Sequence, residues 1–130
     1  MKTLILLIFM VFTARAVETE DLNLIIYYLD LPLTKENVRQ AIKDFELQKP
    51  DKVLQHAIIE SGNFKSKLTT RGNNLFGMRK NRRGWCENKE LYGYATYKCW
   101  IYSIMDYKEW QGGKTIKGNY NKYLVRRRYF

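Results

Sequence analysis

Pro50-Asp51-Lys52-Val53-Leu54-Gln55-His56-Ala57-Ile58-Ile59-Glu60-Ser61-Gly62 is the stretch on which the reading of this chain turns. Proline suits the first turn of a helix, because the N–H it lacks would have no partner there. Val53, Leu54, Ala57, Ile58 and Ser61 follow at helical spacing as one inner face, and Gly62 is placed to stop the helix. At about 100° per residue, Glu60 falls on the edge of the apolar stripe and not in open solvent. Two effects then oppose its ionisation: the apolar surface beside it and the negative end of the helix dipole in the last turn. A carboxyl group kept protonated is what cleavage of a glycosidic bond requires of its acid. On spacing alone Glu60 also reads as a helix-rim carboxylate paired with a Lys or Arg. His56, one turn earlier, reads as a packing or hydrogen-bonding residue.

Working outward, Thr34 opens a preceding helix as an N-cap, with Val38, Ala41, Ile42 and Phe45 forming its buried stripe. Residues 17–32 form an apolar-rich leader with Leu22, Leu24, Ile25, Ile26, Leu29 and Leu31 and no assignable element. From Asn63 to Gly84 the composition is that of a loop, with basic side chains at Arg79, Lys80, Arg82 and Arg83. Leu91 to Tyr97 suits a small hairpin turning near Tyr92-Gly93. Cys99 to Gln111 reads as a helix with Trp100, Ile104, Tyr107 and Gln111 on one face, ended by Gly112-Gly113. A last helix is expected over Tyr120–Arg128. The fold class implied is α+β, mostly helical, with one small β-hairpin lobe.

The whole chain bounds the setting. Its 130 residues, 45% of them hydrophobic, give room for one domain with a modest core. Lys2, the apolar run Leu4–Phe12 and Ala14-Arg15-Ala16 together read as an export signal over residues 1–16. The apolar run is shorter than the roughly 20 residues a membrane span needs, and the competing reading is an uncleaved anchor. Cleavage would remove Lys2 and Arg15 and lower the formal charge from +10 to +8. So basic a chain seeks an anionic partner, and export makes cell wall or membrane surface better candidates than nucleic acid. The product would be a periplasmic or extracellular monomer with no stable membrane insertion. Cys86 and Cys99 form an isolated pair, which outside the cytoplasm favours a disulfide over a metal or redox site. A fold-back near Tyr92-Gly93 would set them opposite each other, and the bridge would contribute roughly 3 kcal/mol. With His56 the only histidine, nothing in the spacing implies a metal or an organic cofactor.

The chain is rich in aromatic residues (ten Tyr, three Trp, six Phe), side chains that stack on sugar faces while Tyr and Trp also hydrogen-bond. Trp85, Tyr92, Tyr94, Tyr97 and Tyr129 are candidates to line a groove, or simply to fill a core. The run Val53 to Leu68, with Glu60-Ser61-Gly62 and Ser66-Lys67-Leu68, followed by Asn73-Asn74-Leu75-Phe76-Gly77-Met78-Arg79, resembles the glucosaminidases of glycoside hydrolase family 73. Those are bacterial and phage wall hydrolases with a lysozyme-like fold. The later Tyr94-Ala95, Tyr97, Trp100, Ser103-Ile104, Asp106-Tyr107 and Trp110-Gln111 are similar to short exported members from Bacteroides-type bacteria. The resemblance covers residues 33–130.

The resemblance implies that Glu60 is the general acid and that residues 73–77 shape the cleft floor. With Asn74 and Phe76 from that floor and Trp85 and Tyr97 from the aromatic candidates, these four are the expected substrate contacts, and the resemblance places Tyr129 beside the acid. The bond implied is the β-1,4 linkage from N-acetylglucosamine to N-acetylmuramic acid in peptidoglycan glycan strands. The second carboxylate would lie on the β element, which offers Glu87 and Glu90, with Glu87 preferred. The chain departs from the family pattern at His56, where Gln is usual, and in lacking an Asp-Pro-x-Tyr tail after Tyr129. The open alternatives are a wall-binding module without turnover, a membrane-active protein and a lytic transglycosylase of the same fold.

Overall fold

The computed structural model describes residues 18–129, so the expected export signal lies outside the described residues. The chain runs through helix α1 (Thr19–Leu29), α2 (Lys35–Asp44), α3 (Pro50–Glu60) and α4 (Lys67–Gly72). Strands β1 (Glu90–Leu91) and β2 (Tyr94–Ala95) and helices α5 (Trp100–Gln111) and α6 (Tyr120–Arg126) complete it. The fold is mostly helical α+β, as the residue pattern implied.

The elements form for the local reasons the sequence offers. Thr34 caps α2, its Oγ1 accepting from the Asn37 N–H at 3.1 Å, and Val38, Ala41, Ile42 and Phe45 are buried. Pro50 occupies the first turn of α3, and Val53, Leu54 and Ala57 bury its inner face against α2. Helix α5 is buried along its whole first two turns, from Trp100 to Tyr107, and is the axis of the core. This is why its expected one-sided stripe understates it. Gly112 ends α5 in the left-handed region at φ 75°, a conformation glycine adopts without steric cost. Helix α6 is capped by Asn119, which accepts from the Lys122 N–H.

The unassigned leader is largely a helix of the domain. In α1, Ile25 and Tyr28 are buried, and the Tyr28 hydroxyl donates to Asp44 on α2. The Trp100 indole N–H reaches back to the Leu31 carbonyl at 3.0 Å, and Lys108 pairs with Asp21. Its apolar residues surround the helix, so no single stripe announced it.

The hairpin is real but minimal. Glu90 pairs with Ala95 and Leu91 with Tyr94. Tyr92 and Gly93 turn it, both at positive φ (54° and 81°), as a tight two-residue hairpin turn requires. The disulfide expectation is corrected here. Both Cys86 and Cys99 are free thiols. The ladder does not extend toward them: the Glu87 N–H donates to the Thr96 carbonyl, out of the register that would place residue 86 opposite 99. The returning strand turns to other partners, Ala95 to Met78 and Tyr97 to Gly72, and Cys99 becomes the N-cap of α5 beside the Leu29 carbonyl.

Candidate active site

Glu60 is the last residue of α3, and just beyond it the backbone turns through Gly62, Asn63 and Phe64, all at positive φ. The Ser61 hydroxyl holds this turn by accepting from the Phe64 N–H at 2.8 Å. The Glu60 side chain keeps 28% of its surface exposed. Burial raises its carboxyl above the ordinary carboxylate range. Gly77 explains how the carboxylate is housed: a Cβ there would come within 3.0 Å of Glu60 Oε2, and Gly77 has φ +67°. Only a residue without a side chain fits between that backbone and the acid.

Asn74 fixes the loop that presents Gly77. It is buried, donates to the carbonyls of Met78 and Ala95, and accepts from the N–H groups of Phe76 and Met78. This one side chain ties the loop to β2 and so joins the floor of the site to the hairpin. Phe76 stacks on Tyr107 with ring centroids 4.1 Å apart.

The cleft in front of Glu60 has a volume of about 440 Å³ and is lined by Gly77, Met78, Arg79, Lys80, Asn81, Arg83, Tyr94, Trp110, Arg127, Arg128 and Tyr129. Among the described residues Glu60 is the only carboxylate lining it, against five cationic side chains. Arg127 stacks over Trp110 at 4.3 Å and donates to the Trp110 carbonyl and the Tyr123 hydroxyl. Arg79 lies 5.4 Å over the Tyr94 ring. Arg83 and Asn81 are anchored from below by Asp106, a fully buried carboxylate that also accepts from the Tyr97 hydroxyl.

Behind Glu60 lies His56, 5% exposed, its Nε2 at 3.6 Å from Glu60 Oε1. Burial lowers its pKa to about 4, so its imidazole is neutral near neutral pH. Tyr129 packs on the His56 ring at 4.6 Å and on Trp110 at 4.9 Å. Its hydroxyl donates to the Phe76 carbonyl. Burial first, and then the Glu60 charge, raise its pKa well above the usual tyrosine value.

Of the sequence-predicted residues, the fold thus brings Glu60, Tyr94 and Tyr129 together at one cleft. The others need correction as direct contacts. Asn74, Phe76 and Tyr97 are buried and do not line the cleft; they build it from beneath. Trp85 lies on a different face, its indole N–H donating to Glu109 at 2.7 Å. Glu87 opens into a separate hollow with Gly84, Trp85, Cys86, Asn88, Lys98 and Tyr102, and does not face Glu60. Trp110 and the Arg127-Arg128 pair were missed, although their aromatic and basic chemistry marked them as candidates. A larger hollow of about 750 Å³ lies between Asp21, Trp85 and Thr115. It shares no residue with the Glu60 cleft. Among the described residues no cluster of His, Cys, Asp or Glu could hold a metal ion.

A half-buried acid thus stands at the end of a helix, over a glycine-walled cationic cleft. The sequence model of the glucosaminidase family, described as mannosyl-glycoprotein endo-beta-N-acetylglucosaminidase, matches residues 35–129. The chain belongs to the glucosaminidase family. The match takes in Glu60, the 73–79 loop, the hairpin and Tyr129, and α1 precedes it. No curated protein and no solved structure matches the chain. The glucosaminidase domain is of a glycoside hydrolase kind, with peptidoglycan as the substrate class the family implies. No helix among the described residues is long and apolar enough to cross a membrane.

Proposed function

We propose that this glucosaminidase domain hydrolyses the β-1,4 bond between N-acetylglucosamine and N-acetylmuramic acid in peptidoglycan, with Glu60 as general acid. The observation that carries this reading is Glu60 itself, a carboxyl held toward its protonated form at the base of the cationic cleft. Protonated, it delivers its proton to the leaving glycosidic oxygen as the bond breaks. The oxocarbenium-like charge that develops on the sugar is then next to the new Glu60 carboxylate. Arg79, Lys80, Arg127 and Arg128 draw in the carboxylates of the stem peptides. Tyr94, Trp110 and Tyr129 offer rings to the sugar faces. The protein acts as an exported monomer in the periplasm or cell wall, cut from its signal after residue 16, without cofactor, nucleic acid or membrane partner.

Glu87 is our choice for the second carboxylate, acting on the attacking water. Its position in a neighbouring hollow requires the 84–89 segment to turn over the cleft when a glycan is bound. One observation favours a second reading. Since Glu60 is the only carboxylate among the described residues lining the cleft, a lytic transglycosylase reaction, which needs one acid/base, also fits.

The test is digestion of purified peptidoglycan by residues 17–130 and by Glu60→Gln, with mass spectrometry of the fragments. The expected result is reducing N-acetylglucosamine ends from the wild type and at least a ~10³-fold slower release by the variant. Products with 1,6-anhydro rings would replace hydrolysis with transglycosylation. Binding to the wall with no fragments from either protein would leave a binding module.

A further inference from the structure

In the buried chain behind Glu60 the bonds of Gln48 and Gln111 have fixed donors, and these set the direction of the two that follow. The Gln48 N–H donates to Gln111 Oε1 at 3.0 Å, and Gln111 Nε2 donates to the Gln48 carbonyl at 2.9 Å. These two backbone contacts fix which end of the Gln111 amide carries hydrogens. The remaining Nε2 hydrogen goes to the Tyr120 hydroxyl at 3.0 Å. Tyr120 is 3% exposed, and its oxygen lies 2.6 Å from that of Tyr107, which lies 2.9 Å from His56 Nδ1. In one arrangement both hydroxyl hydrogens have acceptors: Tyr120 donates to Tyr107, and Tyr107 donates to His56 Nδ1. The reverse arrangement puts two donors on the Tyr120 oxygen and leaves its own buried hydrogen without an acceptor, a cost that buried polar groups avoid. With Nδ1 accepting, a neutral His56 must carry its proton on Nε2, the nitrogen that faces Glu60 Oε1.

We propose that His56 is a positioning residue for Glu60, locked by the Gln48–Gln111–Tyr120–Tyr107 chain into the tautomer whose Nε2–H points at the catalytic carboxyl. The proposal rests on Glu60 being the general acid. The 3.6 Å separation is long for a hydrogen bond, and such contacts tighten as charge develops. As Glu60 gives up its proton, the carboxylate it becomes meets a neutral donor that asks for no second proton transfer. His56 therefore stabilises Glu60 more in the transition state than in the resting enzyme. The groups facing His56 are Glu60 from its own helix, Tyr107 from α5 and Tyr129 from the C-terminal segment, with Tyr120 from α6 behind Tyr107 and Lys52 bordering the same hollow. Glu60 shares its cleft with Arg79, Lys80, Arg83, Arg127, Arg128 and Tyr129.

Because His56 is the only histidine of the chain, histidine labelled with ¹⁵N gives one imidazole to read. The expected spectrum near neutral pH shows a protonated Nε2 and an unprotonated Nδ1; the opposite tautomer would overturn the proposal without any variant. In kinetics, His56→Leu is expected to lower kcat about 10- to 100-fold, the worth of one hydrogen bond to a charged group. Its KM should stay within about 2-fold, as for an interaction made in the transition state. Losing a donor to the carboxylate raises the Glu60 pKa, so the alkaline limb of the kcat profile moves to higher pH. His56→Gln, which keeps an amide N–H within similar reach, should recover most of the rate and return the limb toward its original place. Tyr107→Phe keeps the ring stacked on Phe76 while removing the donor to Nδ1, and should shift the limb the same way to a smaller extent. Equal losses in His56→Leu and His56→Gln with an unmoved limb would reduce His56 to a packing residue. If Glu60→Gln still cleaves, the acid assignment fails first; if Glu60→Gln is inactive and the His56→Leu limb stays put, this inference alone falls.

Discussion

The wall of the cleft that carries Glu60 is three helices cross-linked by buried side-chain hydrogen bonds, whereas the hairpin beside it is a ladder of two residue pairs tied by backbone bonds to Gly72 and Met78. Behind Glu60, α3, α5 and α6 contribute His56, Tyr107, Gln111 and Tyr120 to one buried network, each side chain held by the next. On the hairpin, β1 and β2 contribute two residues each, and Tyr92 at the turn is exposed. The two regions are stitched together at Asn74 and Asp106. The difference separates two tasks. The acid needs a pre-set environment, because its pKa and aim must exist before substrate arrives. In the proposed reaction the hairpin side would receive the glycan strand, and its own ladder of two residue pairs is short.

The largest effect expected from breaking the helical wall is at Asp106. Replacing it by Ala removes the acceptor for Asn81, Arg83 and Tyr97 at a fully buried position. Breaking a buried pair costs 3–5 kcal/mol, and about 3 is expected here because Arg83 retains 27% exposure and can turn to water. Urea denaturation measures this. A loss under about 1 kcal/mol would mean the cation wall stands without its anchor.

The next effect is set by pH. The folded-state pKa of His56 is depressed to about 4 from the ordinary imidazole value of 6.5, by burial. Its contribution is therefore present above the unfolded pKa and lost as pH falls through the folded one. The native chain should lose about 3 kcal/mol between roughly pH 6.5 and 4. His56→Gln should remove that slope while leaving the part due to other groups. Glu60 works in the opposite sense. Its raised pKa favours the fold at low pH and makes the contribution fade as pH rises through its folded value, so Glu60→Gln should flatten stability on that side.

On the hairpin side the effects shrink. Glu87→Gln is expected to slow glycan cleavage about 10-fold, roughly 1.4 kcal/mol, with no change in melting temperature, because the exchange keeps the backbone bond from residue 87 to the Thr96 carbonyl. An unchanged rate would strike Glu87 from the mechanism and strengthen the one-carboxylate reading.

The same division governs what was legible beforehand. α2 and α3 were readable because Thr34 and Pro50 sit at helix starts and the apolar spacing follows at once. The place of Glu60 at the stripe's edge was readable the same way, while its reading as an acid came from the resemblance of the motif around it. Residues acting at long range were not. Asp106 looks like an ordinary helix polar residue until the fold brings three partners to it, and Asn74, expected in the cleft floor, gave no sign of its four hydrogen bonds to three residues. Trp85, Tyr97 and Phe76 were expected in the groove because aromatic chemistry suits both sugars and cores, and composition does not say which side of a wall a ring faces. α1 escaped because its apolar residues are too evenly spread to show a stripe.

The smallest effect expected is the most direct test of the hairpin's register. If the ladder continued from Glu90–Ala95 in step, Cys86 and Cys99 would face each other and exported protein would join them. The Glu87 N–H instead bonds to the Thr96 carbonyl, Cys99 starts α5, and Cys86 packs near the Asn81 carbonyl at 3.5 Å. Thiol titration of the folded protein, prepared without reductant, should therefore count two free thiols. Reductant should leave the melting temperature where it was, and Cys86→Ser with Cys99→Ser should change stability by under about 0.5 kcal/mol. A bridged protein that loses about 3 kcal/mol on reduction would overturn this register. It would also restore a longer ladder and make the hairpin as rigid as the helical wall, removing the freedom that Glu87 needs to reach the cleft.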